Sequence, residues 1–203
     1  MLRHARFGET IVAKPVNIKS HIATSVSLLL WSCGPMNSAV AQTATPPSPP
    51  KTYRAPAALR APIIDGRLND QAWKSAPWTA DFIDIEGPPP AKTKPRFRTR
   101  AKITWDSGFL YIAAELQEPH VWGTLTEHDS VIFHDNDFEV FIDPDGDTNE
   151  YYEFEINALN TGWDLFLNKP YKKGGKASNA WEIPGLKTAV HINGTLNDPR
   201  DKD

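Results

Sequence analysis

The sequence predicts an all-β protein: an antiparallel β-sandwich, with jelly-roll or immunoglobulin-like layers and one short N-terminal helix. The strongest observation is the stretch Asp135–Leu167, where apolar and polar residues alternate in two runs on either side of a turn. A second pair of alternating runs, Arg96–Trp105 and Phe109–Leu116, is joined by an Asp-Ser-Gly turn. Alternation with a period of two, bounded by turn residues, is typical of half-buried antiparallel strands. Aromatic residues make up 10% of the chain, which is enough for a core between two sheets.

The first 41 residues are predicted to be a secretory signal peptide that lies outside the fold. Met1–His21 has a net positive charge, Ile22–Trp31 is apolar, and the small residues that end at Ala41 form a cleavage site. The apolar run is shorter than the roughly 20 residues that span a bilayer. Cys33, the only cysteine, is a less favoured lipid-attachment site because bulky Trp31 precedes it closely. We therefore expect a secreted or periplasmic bacterial protein without disulfides.

A linker and a single domain are predicted after the leader. Residues 42–61 are rich in Pro, Thr, Ser and Ala, a composition that favours an extended linker. The domain is predicted over residues 62–203. Ile63–Gly66 is interpreted as a short strand into a turn, and Asn69 as the cap of a brief helix, Asp70–Ser75, anchored by Trp73. The last predicted strand, Thr188–Asn193, precedes a polar run, so we expect the closing strands to be missing from this chain.

The run Arg96–Trp105 carries its positive charges on one face. Arg96, Arg98, Arg100 and Lys102 alternate with apolar residues. We expect this face to be a sheet edge or to pair with the acidic hairpin, and the sharper alternative is that one arginine points into a polyol-binding site.

The hairpin within Asp135–Leu167 has one apolar and one acidic face. A turn at Pro144–Glu150 predicts a register that places Glu139 opposite Glu155, and Asp137 opposite Asn157. Like charges directly opposite each other destabilise a sheet, so this pair needs a cation, a basic neighbour or a hydroxyl-bearing ligand. We expect function on this face.

Several short motifs, in this order and spacing, resemble the family 9 carbohydrate-binding modules. They are Ile64-Asp65-Gly66, Asp70-x-x-Trp73, Phe109-Leu110-Tyr111-Ile112 and Asp137-x-Glu139-Val140-Phe141-Ile142-Asp143-Pro144. The resemblance extends from Ile63 onward. It implies a β-sandwich that binds sugars without catalysis, belongs to a larger polysaccharide-degrading protein such as a xylanase, and carries structural calcium. The family's closing strand is not found here, which implies a C-terminally truncated module.

The resemblance also implies which residues contact the sugar. In the family two tryptophans sandwich it, and an acid, an arginine and asparagines bond its hydroxyls. Glu139 matches the acid, and Phe133 or Trp122 the first aromatic. The second aromatic is Trp181, or else it belongs to the missing end of the module. Glu155 and Asn157 take the places of the arginine and an asparagine, so the arginine is replaced by an acid. Trp163 is instead assigned to the core, because it shares a strand with two leucines.

The turn of the hairpin is a candidate calcium site. Asp143, Asp145 and Asp147 offer alternating carboxylates, and calcium takes six to eight oxygen ligands. The alternative is a polar turn without metal, since Asp, Asn and Gly favour turns on their own.

Other functions are less favoured by the sequence. The sequence has no basic stripe interleaved with aromatics, the pattern typical of nucleic-acid binding. It also has no Ser-His-Asp order, phosphate loop or cysteine nucleophile that would indicate an enzyme. The Glu139/Glu155 pair leaves open a hydrolase of O-glycosyl bonds, but we expect a solvent-facing sheet, a poor place to raise an acid's pKa. A haem-binding sandwich would have to take both axial ligands from the four histidines that follow the leader, because both methionines lie in the predicted leader. Those histidines are His120, His128, His134 and His191. A structural module without ligand is the last alternative.

Overall fold

The computed structural model describes residues 6–13, 51–84 and 95–200 and confirms the all-β prediction. One sheet contains β1 (Arg6–Ala13), β2 (Thr99–Trp105), β3 (Leu110–Gln117) and β8 (Lys187–Asn193) in the order β2-β3-β1-β8. The other contains β4 (Asp137–Ile142), β5 (Tyr151–Asn157), β6 (Gly162–Leu167) and β7 (Ala177–Ser178) in that order. Every pairing between these strands is antiparallel.

The main core lies between the two sheets. Ala101, Ile112 and Ala114 of β2 and β3 pack against Phe138 of β4 and against two residues of β5, Phe154 and Ile156. These are the apolar positions of the alternating runs. The alternation therefore places the core as predicted.

The short helix α1 (Gln71–Ser75) packs on the outer side of the first sheet. Trp73 is fully buried and contacts Tyr111 and Ala113 of β3, which confirms its role as an anchor. The helix cap is Asp70, not Asn69, and it makes no side-chain capping hydrogen bond. Ile63–Gly66 is irregular, so the short strand predicted there is wrong. Gly66 has φ +75° and lies so close to the backbone of His191 that an added Cβ would be 2.5 Å from its nitrogen.

Arg6–Ala13 forms the strand between β3 and β8, although the sequence places it in a leader outside the fold. Its backbone pairs with the whole of β3 and with the whole of β8. The β-branched run Thr10-Ile11-Val12 is compatible with a strand. The predicted cleavage site at Ala41 and Cys33 lie outside the described residues, and the signal peptide stays a prediction.

The second half of the predicted linker lies along the outer edge of β2. The Tyr53 hydroxyl contacts the backbone of Ile103, the Thr104 hydroxyl donates to the Pro56 carbonyl, and the Ala58 N–H donates to Trp105. Proline is tolerated at a sheet edge because its missing N–H would face outward. The segment 53–58 thus covers the C-terminal end of this strand edge, and Thr79 and Phe82 bond to its start.

Candidate functional site

The central hairpin has the register that the sequence predicts. Glu139 of β4 lies opposite Glu155 of β5, and Asp137 lies opposite Asn157. Carboxylate oxygens of Asp137, Glu139 and Glu155 all lie within 4.8 Å of one another. We call these three residues, together with Glu153, the acid cluster.

The acids that β5 contributes to the cluster lie on a covered part of the sheet, so the prediction of a solvent-facing sheet is wrong for Glu153 and Glu155. The segment 125–136 crosses this face, and its 3₁₀ turn (Ile132–His134) buries Ile132 against Trp163, Leu165 and Leu167 of β6. Glu155 is only 2% exposed and Glu153 is also buried, whereas Glu139 reaches solvent. The packing also confirms that Trp163 belongs to the core.

Two exposed aromatic residues hold the buried acids in place. The backbone N–H of Phe133 donates to Glu155 at 3.0 Å, and the Tyr171 hydroxyl donates to Glu153 at 3.0 Å. The Phe133 side chain is 55% exposed, and its ring lies 6.1 Å from that of Trp163. An exposed ring beside carboxylates is the combination that stacks a sugar and accepts its hydroxyl hydrogens.

Burial makes the acids of the cluster hard to ionise. Loss of solvent, reinforced by the charge of Glu139, raises the pKa of Asp137 to about 7. The same causes, with Asp137 and Glu153 adding to them, raise the pKa of Glu155 to about 8. Burial also raises the pKa of Glu139 and of Glu153. The facing pair Glu139 and Glu155 is therefore tolerated near neutral pH because the cluster retains protons.

Asn157 is buried and has no group left for a ligand. Its amide nitrogen donates to the Leu125 carbonyl and to Asp135, both at 2.9 Å. Its oxygen accepts the N–H groups of Leu159 and Thr161, both at 3.0 Å. These bonds hold the segment 125–136 over the acid cluster, so Asn157 organises the site from inside the protein.

A cleft of about 350 Å³ opens beside the acid cluster. Trp122, which is 42% exposed, lines it together with Asp137, Asn136 and Phe97. Asp137 thus belongs to both the cleft and the cluster. Trp122 and Phe133, the two candidates for the first aromatic, both precede the acids in sequence and both present surface to solvent.

Trp181 is not brought to the acid cluster. Its ring stacks on Tyr152 at 4.4 Å between centroids and 22° between planes. Tyr152 alternates with Glu153 along β5, so it projects from the opposite face of the sheet.

Arg98, just before β2, and Arg100 within it are not brought to the acid cluster either. β2 is the edge strand of the other sheet, where Arg98 and Arg100 contact Glu115 of β3 at 2.9 and 3.0 Å. Arg100 also lies over the Trp78 ring at 4.0 Å. The basic strand is therefore an edge, as one interpretation held, but its partner is β3 and not the acidic hairpin.

The aspartates of the hairpin turn are exposed and bonded to the turn itself. Oxygens of Asp143, Asp145 and Asp147 lie within 4.8 Å of one another. Each accepts at least one backbone N–H of the same turn, and Asp143 accepts those of Gly146 and Thr148. Such bonds are what a polar turn needs without metal, and calcium at this turn stays a prediction.

Some members of the site could not be found from the sequence. Tyr171 lies in a Gly/Lys-rich loop with no pattern that connects it to Glu153. Among the four histidines considered as haem ligands, His128 lies in a group with three acids and without a second histidine. His134 contacts the Phe133 ring.

Comparison with known proteins identifies the family. Residues 64–190 match the carbohydrate family 9 binding domain-like family. The chain belongs to this family. A stretch of 104 residues is 34% identical to endo-1,4-beta-xylanase C of Paenibacillus barcinonensis and covers 51% of this chain but only 8% of that protein. No solved structure matches. Within the described ranges, no helix is both long and apolar enough to cross a bilayer.

Proposed function

We propose that the protein binds carbohydrate at the acid cluster, with a sugar ring stacked on Phe133. The observation that carries this proposal is the exposed Phe133 ring, whose own backbone N–H bonds to buried Glu155. A pyranose has apolar C–H faces that pack on an aromatic ring and hydroxyls that donate to nearby oxygens. Glu139 is the acid that reaches solvent and is the proposed hydroxyl acceptor.

The charges of the site favour a neutral sugar. Four acids converge here, and the arginine that the family resemblance implies is replaced by Glu155. An anionic sugar would add negative charge beside acids whose burial already disfavours ionisation, whereas neutral hydroxyls add none. The cleft beside Trp122 shares Asp137 with the cluster, which supports a ligand longer than one sugar unit.

The broader role proposed is non-catalytic binding that serves the breakdown of a xylan- or glucan-type polysaccharide. The relative named as a xylanase supports this role, and the chain would be one module of such a protein. Export to the periplasm or beyond and calcium in the turn at Asp143 are parts of the same proposal. Cleavage of the predicted leader after Ala41 would also remove β1 from the first sheet.

Calorimetric titration of the full chain with neutral xylo- and cello-oligosaccharides, with and without calcium, tests it. We expect Glu139→Ala and Phe133→Ala each to weaken binding by about tenfold or more, as central contacts of an interface do. Glu127→Gln, at an exposed site outside the cluster, is the matched control and should bind as wild type. Trp181→Phe should also bind as wild type, because Trp181 stacks on the other face.

The absence of binding heat from folded protein would refute the proposal and favour a structural module without ligand. Loss of binding in Trp181→Phe but not in Phe133→Ala would move the site to the opposite face of the sheet.

A hydrolase of O-glycosyl bonds is the second candidate, because burial raises the pKa of Glu155 to about 8 and thus keeps a proton available beside Glu139. The near-complete burial of Glu155 separates that proton from a glycosidic oxygen, so binding is favoured. Release of reducing sugar that disappears in Glu155→Gln would establish catalysis.

A further inference from the structure

A second group of side chains that could bind a metal ion is distinct from the acid cluster, and its members come from three separate segments of the chain. His128 and Asp129 precede the 3₁₀ turn, Asp164 is on β6, and Glu182 is in the loop before β8. The His128 Nε2 lies 3.4 Å from Asp129, 3.6 Å from Asp164 and 3.2 Å from Glu182. One ligand atom from each of the four residues lies within 4.8 Å of all the others.

Asp164 is a buried carboxylate with an unpartnered oxygen. The residue is 1% exposed, and its Oδ2 accepts the N–H of Ile183. Its Oδ1 is buried, has no hydrogen-bond partner, and is the atom that faces His128. Oδ1 of Asp129 is likewise buried without a hydrogen bond. Two desolvated carboxylate oxygens directed at one point need either a positive charge or a bound proton there.

The orientation of His128 indicates what carries that charge. Its Nδ1 lies 2.9 Å from the Gly162 carbonyl, which only accepts, so Nδ1 carries the hydrogen. The lone pair of Nε2 in the neutral ring then points at the three acids. This is the usual arrangement of a metal-bound histidine, whose other nitrogen donates to a backbone carbonyl.

We propose that His128, Asp129, Asp164 and Glu182 bind a divalent transition-metal ion, with zinc as the reference ion. A tetrahedral zinc site with bonds of about 2.1 Å places neighbouring ligand atoms about 3.4 Å apart. The three distances from Nε2 range from 3.2 to 3.6 Å and fit that geometry. A nitrogen ligand favours zinc over calcium, which takes oxygens. The proposed site is therefore different in kind from the aspartate turn at Asp143.

The bound ion would join three parts of the chain. Asp164 belongs to the sheet, Glu182 to the loop before β8, and His128 to the segment that continues over the acid cluster. The ion thus fixes the start of the covering segment to the sheet, a structural role that does not depend on sugar binding.

The test uses the untagged, metal-free full chain, titrated with Co²⁺ at pH 7 and followed by visible absorption, with Zn²⁺ measured by competition. We expect saturation at one ion per chain, displacement by Zn²⁺, and a higher melting temperature with Zn²⁺. His128→Gln and Glu182→Gln alter exposed ligands and should fold, and each should weaken binding by about 100-fold or more, since even outer-shell partners account for 10–100-fold. His134→Gln, at an exposed histidine outside the group, should bind as wild type.

Folded wild-type protein without saturable Co²⁺ binding would overturn the proposal and leave a protonated His128 as the positive charge. Binding that survives both ligand substitutions, or that excess Ca²⁺ displaces, would also overturn it, because the ion would then sit elsewhere or in an oxygen-only site.

Discussion

The pH dependence of stability tests whether the acid cluster is as buried as the structure has it. Glu155→Gln keeps an oxygen that can accept the Phe133 N–H but removes the ionisable group. With a pKa of about 8, Glu155 retains a proton in the folded protein that it releases in the unfolded chain, where the pKa is about 4.5. The folded state therefore binds more protons between about pH 4.5 and pH 8, and its stability falls as the pH rises through this window.

The size of the effect follows from the same shift. One retained proton lowers the free energy of unfolding by about 1.4 kcal/mol for each pH unit. Over the window from about pH 4.5 to pH 8 the loss of unfolding free energy sums to at most about 5 kcal/mol. This loss belongs jointly to Glu155, Asp137 and Glu139, because the three groups titrate together. We expect Glu155→Gln to remove about 1 kcal/mol per pH unit of the slope between pH 5 and pH 8.

Urea unfolding at pH 5, 6, 7 and 8 measures the slope for wild type, Glu155→Gln and the exposed control Glu127→Gln. Wild type and Glu155→Gln should be nearly equal in stability at pH 5, and Glu155→Gln should be the more stable of the two at pH 8. His128, whose pKa is raised by Glu182 and Asp129 against the effect of burial, gives a slope of the same sign, so the difference between chains is the quantity to compare. Parallel curves for Glu155→Gln and wild type would refute the reasoning.

Three further predictions concern the fold. Gly66→Ala should lower the free energy of unfolding by about 2 kcal/mol or more, because φ is positive there and the Cβ would meet His191; urea unfolding checks this, and an unchanged midpoint would contradict it. Trp73→Ala should cost about 3–5 kcal/mol in the same assay, since the side chain is fully buried, and a loss below 1 kcal/mol would contradict it. In a chain that starts at Gln42, every second backbone amide of β3 loses its β1 partner and should exchange hydrogen faster. Amide hydrogen exchange checks this, with β5 as the strand that should stay protected. Unchanged protection of β3 would show that β1 is not its partner.

The sequence was sufficient for the hairpin because its information is local. Alternation and a turn of fixed length set the pairing of Glu139 with Glu155 to the residue. The core contacts of Phe138 and Phe154 follow from the same alternation.

The burial of the acids could not be predicted because it depends on a distant segment. Ile132 covers the acid face only after the chain from Leu125 onward has crossed it, and no spacing in the sequence encodes that crossing. The wrong expectation of a solvent-facing sheet followed directly. The group formed by His128, Asp164 and Glu182 was missed for the same reason, since its members come from separate segments. The strand at Arg6–Ala13 was missed because basic residues before an apolar run favoured a leader.

The strip of residues 53–58 along β2 bears on how this domain can be moved between proteins. The family match begins at residue 64, and the composition of the chain suggests a boundary near residue 62. A domain excised at either point would lose the groups that contact Thr104 and Trp105, and would expose the C-terminal end of the β2 edge to other chains. A portable version that stays monomeric in a fusion protein should begin before Tyr53.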